Sequence, residues 1–288
     1  MKSKKTLALV LTVLLIAGVV GACSGNSGTG ESKGTVKFGV VNWAEGVAMT
    51  NLAAAILEDH MGYEVDITVA DVAPIFTSVA SENTDAFLDV WLPATHENYL
   101  KEYGDDLVQL GVINGNARIG LVVPEYVDIE TIEELNENTE LFNNEIIGID
   151  AGAGIMSATE KAIEEYDLDL ELVTSSEAAM TASLSKAIAN EEPIVVTGWS
   201  PHWKFAQFDL KYLEDSKLVY GETEEINKIV RKGLEEDMPD VYGFLEKFVL
   251  TDEELADLIG TIAEGDDEFE AAKEWMNDNE DVVSQWIE

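Results

Sequence analysis

VKFGVVNWAEG, residues 36–46, and NEIIGIDAGAG, residues 144–154, are the stretches on which the fold turns. Each runs from an apolar, strand-like segment through a turn to a glycine at the head of a helical run. They align without a gap, and the alignment continues down the chain. Gly46 matches Gly154, Trp91 matches Trp199 and Pro93 matches Pro201, at one offset throughout (154 − 46 = 199 − 91 = 201 − 93 = 108). Self-similarity of this kind means that one supersecondary unit is used twice. Strand candidates fall in register at Val36–Val41 and Glu145–Ile149, at Glu64–Val69 and Leu172–Thr174, and at Ala86–Val90 and Ile194–Thr197. Between them lie helical runs at Val47–His60 and Ile155–Tyr166, then at Ala73–Ser81 and Ala178–Asn190.

A strand–helix–strand–helix–strand order predicts parallel strands joined by right-handed crossovers. Two such units predict an α/β fold of two similar lobes with a ligand cleft between them. Open α/β sheets take ligands beyond the carboxyl ends of their strands. Here those ends carry Asn42, Trp43 and Trp91 in the first half, and Ala151 to Gly154 and Trp199 in the second. Ala117–Pro124 reads as a strand crossing between lobes, and Leu210–Leu213 as a return crossing. Residues 222–288 read as acidic amphipathic helices that mainly finish the first lobe. The expected division is 35–118 for lobe one, 119–213 for lobe two and 214–288 for the C-terminal helices.

The N-terminus addresses the chain. Lys2, Lys4 and Lys5 precede an apolar run from Leu7 to Val20, the pattern of a signal peptide. At about 14 residues the run is short for a membrane span. It ends in Val20-Gly21-Ala22-Cys23, which is spelled like a bacterial lipobox. Cys23 is the single cysteine, so no internal disulfide can form and an acyl anchor explains it. Residues 1–22 are expected to be a lipoprotein signal peptide. Residues 23–34, rich in Gly, Ser, Asn and Thr, form a flexible tether from lipidated Cys23. The expected place is the extracytoplasmic face of the cell membrane.

Charge excludes several partners. Without the three signal lysines, 14 basic residues (17 − 3) face 57 acidic ones, a balance of −43. Phosphate binding needs a basic face, so nucleic acid is not a partner. The acidic residues crowd into the helical segments and read as a solvated surface suited to salt.

Three tryptophans stand at strand ends: Trp43, Trp91 and Trp199. A single Trp there is usually core. Three at equivalent places around one cleft suggest a cage, because an indole face attracts a cation and a quaternary ammonium offers no N–H to bond. Trp203, Trp275 and Trp286 lack this placement and read as packing residues. Gly148-Ile-Asp-Ala-Gly152-Ala-Gly154-Ile155 resembles a dinucleotide fingerprint, but Ser157 replaces its third glycine, and nucleotide binding is rejected. Backbone N–H groups of Gly154 and Ile155, at a helix start, can instead receive a carboxylate. His96, near Trp91 at the cleft rim, can donate to the same group. His202 reads as structural and His60 as a helix C-cap. No histidine spacing suits zinc, and no Gly-x-Ser-x-Gly appears. No metal, cofactor or catalytic residue is expected.

These residues resemble a known family. Val41-Asn-Trp43-Ala-Glu, Asp89-Val-Trp91-Leu-Pro-Ala-Thr-His96, Gly148 to Ser157 and Thr197-Gly-Trp199-Ser-Pro-His-Trp203 are similar to the glycine betaine/proline betaine-binding proteins of osmoprotectant ABC importers, a branch of the type II periplasmic binding proteins. The likeness runs from Val36 to Trp286. It implies a tryptophan prism of Trp43, Trp91 and Trp199 around the quaternary ammonium. It implies a ligand carboxylate held by the amides of Gly154 and Ile155 and by His96. It also implies a non-enzymatic, monomeric binding protein for a small zwitterion, partnered by an ABC permease. Some members carry the two halves in reverse order; here the half with two cage tryptophans comes first. Choline, carnitine and amino-acid binders, with Glu45 facing an ammonium, remain alternatives. So do a sensor domain and an exported enzyme acting on choline-like esters.

Overall fold

The computed structural model describes residues 32–287. The proposed signal peptide, Cys23 and most of the tether lie outside those residues. The first unit runs β1 (Thr35–Val40), α1 (Ala44–Ile56, continued by a wider last turn, Leu57–Met61), β2 (Glu64–Val69), α2 (Val72–Ala80) and β3 (Ala86–Leu92). α3 (Glu97–Tyr103) leads into the long strand β4 (Leu107–Pro124). The second unit runs β5 (Glu145–Ile147), α4 (Gly154–Tyr166), β6 (Glu171–Val173), α5 (Glu177–Ala189) and β7 (Val196–Ser200). α6 (Lys204–Gln207), β8 (Leu210–Tyr212) and β9 (Glu224–Arg231) follow. The chain closes with α7 (Leu234–Asp237), α8 (Pro239–Lys247), α9 (Asp252–Glu264), α10 (Glu268–Asp278) and α11 (Glu280–Ile287).

The strands lie in the order β2-β1-β3-β9-β4-β7-β5-β6, with β8 also on β4. β1 runs parallel to β2 and β3, and β5 runs parallel to β6 and β7. The repeat in sequence is thus a repeat in topology. β4 joins the two halves. Its residues Leu107 to Ala117 pair with β9, whereas Arg118 to Val122 pair with β7. The chain passes from one lobe to the other between Ala117 and Arg118.

Three readings of the connecting elements need correction. The crossing strand begins at Leu107, not Ala117. Gly111, Asn114, Gly115 and Asn116 disguise its first part, where register shifts take up the extra residues. The segment at Leu210 does not return to lobe one; β8 folds back antiparallel on β4 over Val122–Pro124. The return is the segment 213–223, and it ends in β9. β9 falls in a stretch read as helix. Its charged residues suggested a wet helical face, yet Glu224, Asn227 and Lys228 are buried. Lys228 donates from Nζ to the carbonyls of Val112 (3.0 Å) and Phe248 (2.8 Å). Burial pulls this ammonium down to about 8. His60 is exposed in the last turn, and the cap is Gly62, at φ 77°.

α1 explains how lobe one holds together. Every residue from Glu45 to Ile56 is buried. A helix apolar on all sides belongs inside, and its alanines let neighbours approach closely. β1 and β3 cover one side, and α9 and α10 pack on it as well. α9 starts at a capping box between Thr251 and Glu254, and α10 at Asp267, which accepts two backbone N–H groups. Trp275 is buried with its indole N–H on Asp257 (2.8 Å), and Trp286 stands edge-on to Phe248 at 4.8 Å. Among the described residues no helix is long and apolar enough to cross a membrane.

Candidate ligand site in the cleft

Residues at the carboxyl ends of β1, β3, β5 and β7 line one cavity. Its wall holds Trp43, Trp91 and Trp199, each at most 5% exposed, with Glu45, Thr95, His96, Ile119, Ile149 and the run Ala153-Gly154-Ile155. All six cleft residues expected from sequence therefore meet in one place, drawn from both lobes. Their convergence follows from the topology, because parallel strands in each half bring their ends to the same edge.

The indoles are held differently. Trp91 donates from Nε1 to Asp89 Oδ1 (2.7 Å), two residues back on its own strand. Trp199 donates from Nε1 to Glu45 Oε2 (2.7 Å), at the start of α1 in the other lobe. Trp43 stacks on His96 with ring centroids 5.9 Å apart, and its N–H has no partner among the described residues. Lys204 lies 4.0 Å from the centroid of the Trp199 ring. Cations favour such a face.

His96 is fully buried and accepts the Trp91 backbone N–H on Nδ1 (3.0 Å). Burial pulls its pKa down to about 3, so it is neutral. Nδ1 is an acceptor, which assigns the ring proton to Nε2. Nε2 has no partner among the described residues and is a free donor. α4 offers more donors. Its N-cap is Ala153, which has no side-chain oxygen to bond the first amides. Gly154 and Ile155 are the first two residues of that helix. A Cβ on Gly154 would collide with the backbone carbonyl of Thr95, so glycine is required where the lobes touch.

Behind the indoles lies a buried ionisable cluster. Desolvation raises Glu45 to about 7 and Glu177 to about 8, and lifts Asp89 well above the carboxylate range. Desolvation also lowers Lys204 to about 7. Glu177 accepts the Ala44 N–H on Oε2 (3.0 Å), across the cleft. His202 accepts the Lys204 N–H on Nδ1 (3.1 Å) and sits with Nε2 3.1 Å from Glu177 Oε1, out of line for a hydrogen bond. His202 is packing behind Trp199, 4.8 Å away edge to face.

Glu45 was legible as a cleft residue only through a rival ligand. Asp89 was signalled by its i, i+2 spacing to Trp91, which puts both on one face of the strand. Nothing local in the sequence pointed to Glu177, Lys204 or Ile119.

Residues 34–278 match the family model described as the substrate binding domain of ABC-type glycine betaine transport systems, OpuAC. This chain belongs to that family. Its members are binding domains, not enzymes. The glycine betaine/carnitine transport binding protein GbuC of Listeria monocytogenes is 51% identical over 152 residues. That match takes in 52% of this chain and about half of the relative, 51%. Lactococcal OpuAC, in its closed-liganded conformation complexed with glycine betaine, superposes with a TM-score of 0.84 and 39% identity, over 88% of this chain and 99% of the other. An ABC-transporter choline binding protein in complex with choline gives 0.82 and 28%, over 88% and 91%.

Proposed function

We propose that this chain is the solute-binding lipoprotein of an ABC importer, and that it captures glycine betaine, with proline betaine as a second ligand, for osmoprotectant uptake. One observation carries the reading. Three indoles, a neutral histidine with a free N–H and an uncapped helix start share one cavity, which suits a molecule with a methylated cation at one end and a carboxylate at the other. Trp43, Trp91 and Trp199 enclose the ammonium. The amides of Gly154 and Ile155 and Nε2 of His96 take the carboxylate.

The magnitudes suffice. Three desolvated cation–π contacts at about 2 kcal/mol each join charge-assisted hydrogen bonds at about 1.5–3 kcal/mol each. Together they exceed the roughly 8 kcal/mol that micromolar affinity needs, and ordering and lobe closure consume the surplus. Residues 35–118 and 119–213 act as the closing lobes, with 214–288 mainly on the first. Closure presents both lobes to the permease. Acylated Cys23 tethers a monomer to the outer face of the membrane. The acyl mass on Cys23 and release of Cys23→Ala into the medium would test the anchor.

Tryptophan fluorescence titration of glycine betaine, proline betaine, choline, carnitine and proline tests the ligand. Glycine betaine should bind most tightly, and Trp199→Ala should weaken it at least about tenfold. An unchanged affinity removes Trp199 from the cage.

A further inference from the structure

Glu224 is 1% exposed, and among the described residues no basic side chain is bonded to it. A buried carboxylate without a cation is costly unless hydrogen bonds satisfy its oxygens. It opens β9 opposite Ala117, the residue at which β4 leaves the sheet of lobe one. The return segment 213–223 ends on it. Both chain crossings between the lobes therefore meet at this residue.

Its bonds all go to one turn. Oε2 accepts the backbone N–H of Ala94 (3.1 Å) and of Thr95 (3.0 Å), and Oε1 accepts the Thr95 hydroxyl. The turn runs on to His96, and Thr95 and His96 line the cavity. On its other side, the Thr95 carbonyl lies against Gly154 of lobe two. Pro93 and Ala94 themselves are exposed, so the turn has little packing of its own to hold it. The carboxylate instead ties the turn to the place where the chain changes lobes.

We infer that Glu224 is a positioning residue for ligand capture: it clamps the Ala94–His96 turn to the hinge and so sets where Thr95 and His96 stand when the lobes meet at Gly154. This rests on the cleft being the betaine site. The geometry predicts that loosening the clamp leaves the core of lobe one intact while the cavity loses its shape.

The test compares wild type, Glu224→Ala and Glu224→Gln by amide hydrogen exchange without ligand and by glycine betaine titration. In Glu224→Ala, exchange at Ala94 and Thr95 should rise at least about tenfold while α1 stays protected, and affinity should fall about tenfold, the scale of one charge-assisted bond. Glu224→Gln should restore most of both. Its amide oxygen can take the backbone donors, and the Thr95 hydroxyl can turn to accept from its NH₂. Unchanged exchange at the turn in Glu224→Ala overturns the inference. So does altered exchange with wild-type affinity, or a glutamine variant as impaired as the alanine. Glu224→Asp, with a shorter arm, takes the place of the alanine variant if that fails to fold, with the same expectations. A wild-type chain that bound none of the betaines, choline or carnitine would sink the ligand reading instead. The exchange measurement would still decide whether Glu224 holds the turn.

Discussion

The two repeat units begin alike and end up opposite in use. In the first, α1 starts at Ala44, and its first amide is taken by Glu177, a carboxylate from the second lobe. In the second, α4 starts at Gly154 after an N-cap that offers nothing, and its first amides line the cavity. The matched glycines diverge in the same way. Gly46 lies inside α1 and makes room for Asp89 of its own lobe, whose Oδ2 would sit 2.6 Å from an added Cβ. Gly154 makes room for Thr95 of the other lobe. The indoles follow suit. Trp91 is anchored within its lobe by Asp89, and Trp199 across the cleft by Glu45. Lobe one thus anchors Trp91 within its own core, although the start of its α1 is completed by Glu177 of lobe two. Lobe two anchors Trp199 through Glu45 of lobe one. A duplicated unit can keep its strands and helices while one copy's helix start is satisfied by protein and the other's is left open to the cavity.

The sharpest way to break this comparison is to fill the two glycines. Gly154→Ala should lower glycine betaine affinity roughly tenfold to a hundredfold, the scale of about 1–3 kcal/mol of overpacking, because a backbone carbonyl is in the way. The melting temperature of the ligand-free protein should hardly change. Gly46→Ala should do the reverse and destabilise the fold with little effect on affinity. Its cost is smaller, because replacing glycine inside a helix returns about 1 kcal/mol. Calorimetry beside titration reads both, and identical behaviour of the two variants would erase the distinction.

Removing the indole anchors is the next step down. Glu45→Ala frees Trp199 from the opposite lobe and should cost about tenfold in affinity, near one charge-assisted bond, at similar ligand-free stability. Asp89→Ala frees Trp91 and leaves a hole in one lobe, so its effect should appear first in the melting temperature.

A final effect concerns pH. Glu177 is raised from an ordinary 4.5 to about 8 by desolvation, so between those values the folded chain keeps a proton that the unfolded chain has released. Its contribution to stability therefore falls as pH rises from about 4.5 to about 8 and is level beyond. One group can supply a slope of at most about 1.4 kcal/mol per pH unit. Relative to Glu177→Gln, wild type should lose stability across that window in denaturant titrations. A difference that stayed flat would mean that Glu177 is ionised in the folded protein.

Much of this was legible in the chain. The repeat placed β1 to β3 and β5 to β7, because apolar alternation and helical spacing are local and short. The six cleft residues were legible because strand ends in such a unit face a cleft, and because indoles, glycine and histidine stood at those ends. β9 was not legible. Its buried Lys228 and Glu224 look like surface residues until the carbonyls and amides that they bond are known. Glu177 offered no signal either, since the helix it caps begins far up the chain.

By itself the sequence determined which segments of the repeated unit become strands and helices, that the unit occurs twice, and which aromatic and glycine residues stand at the strand ends. Each of these depends on residues within a few positions of one another. Only the tertiary structure decided who holds whom across the cleft and at the hinge. Ala44 and Glu177 are 133 positions apart, Glu45 and Trp199 are 154 apart, and Thr95 and Glu224 are 129 apart. Such pairings are settled by the path of the whole chain through the hinge, because a hydrogen bond depends on where two atoms arrive and leaves no periodicity behind.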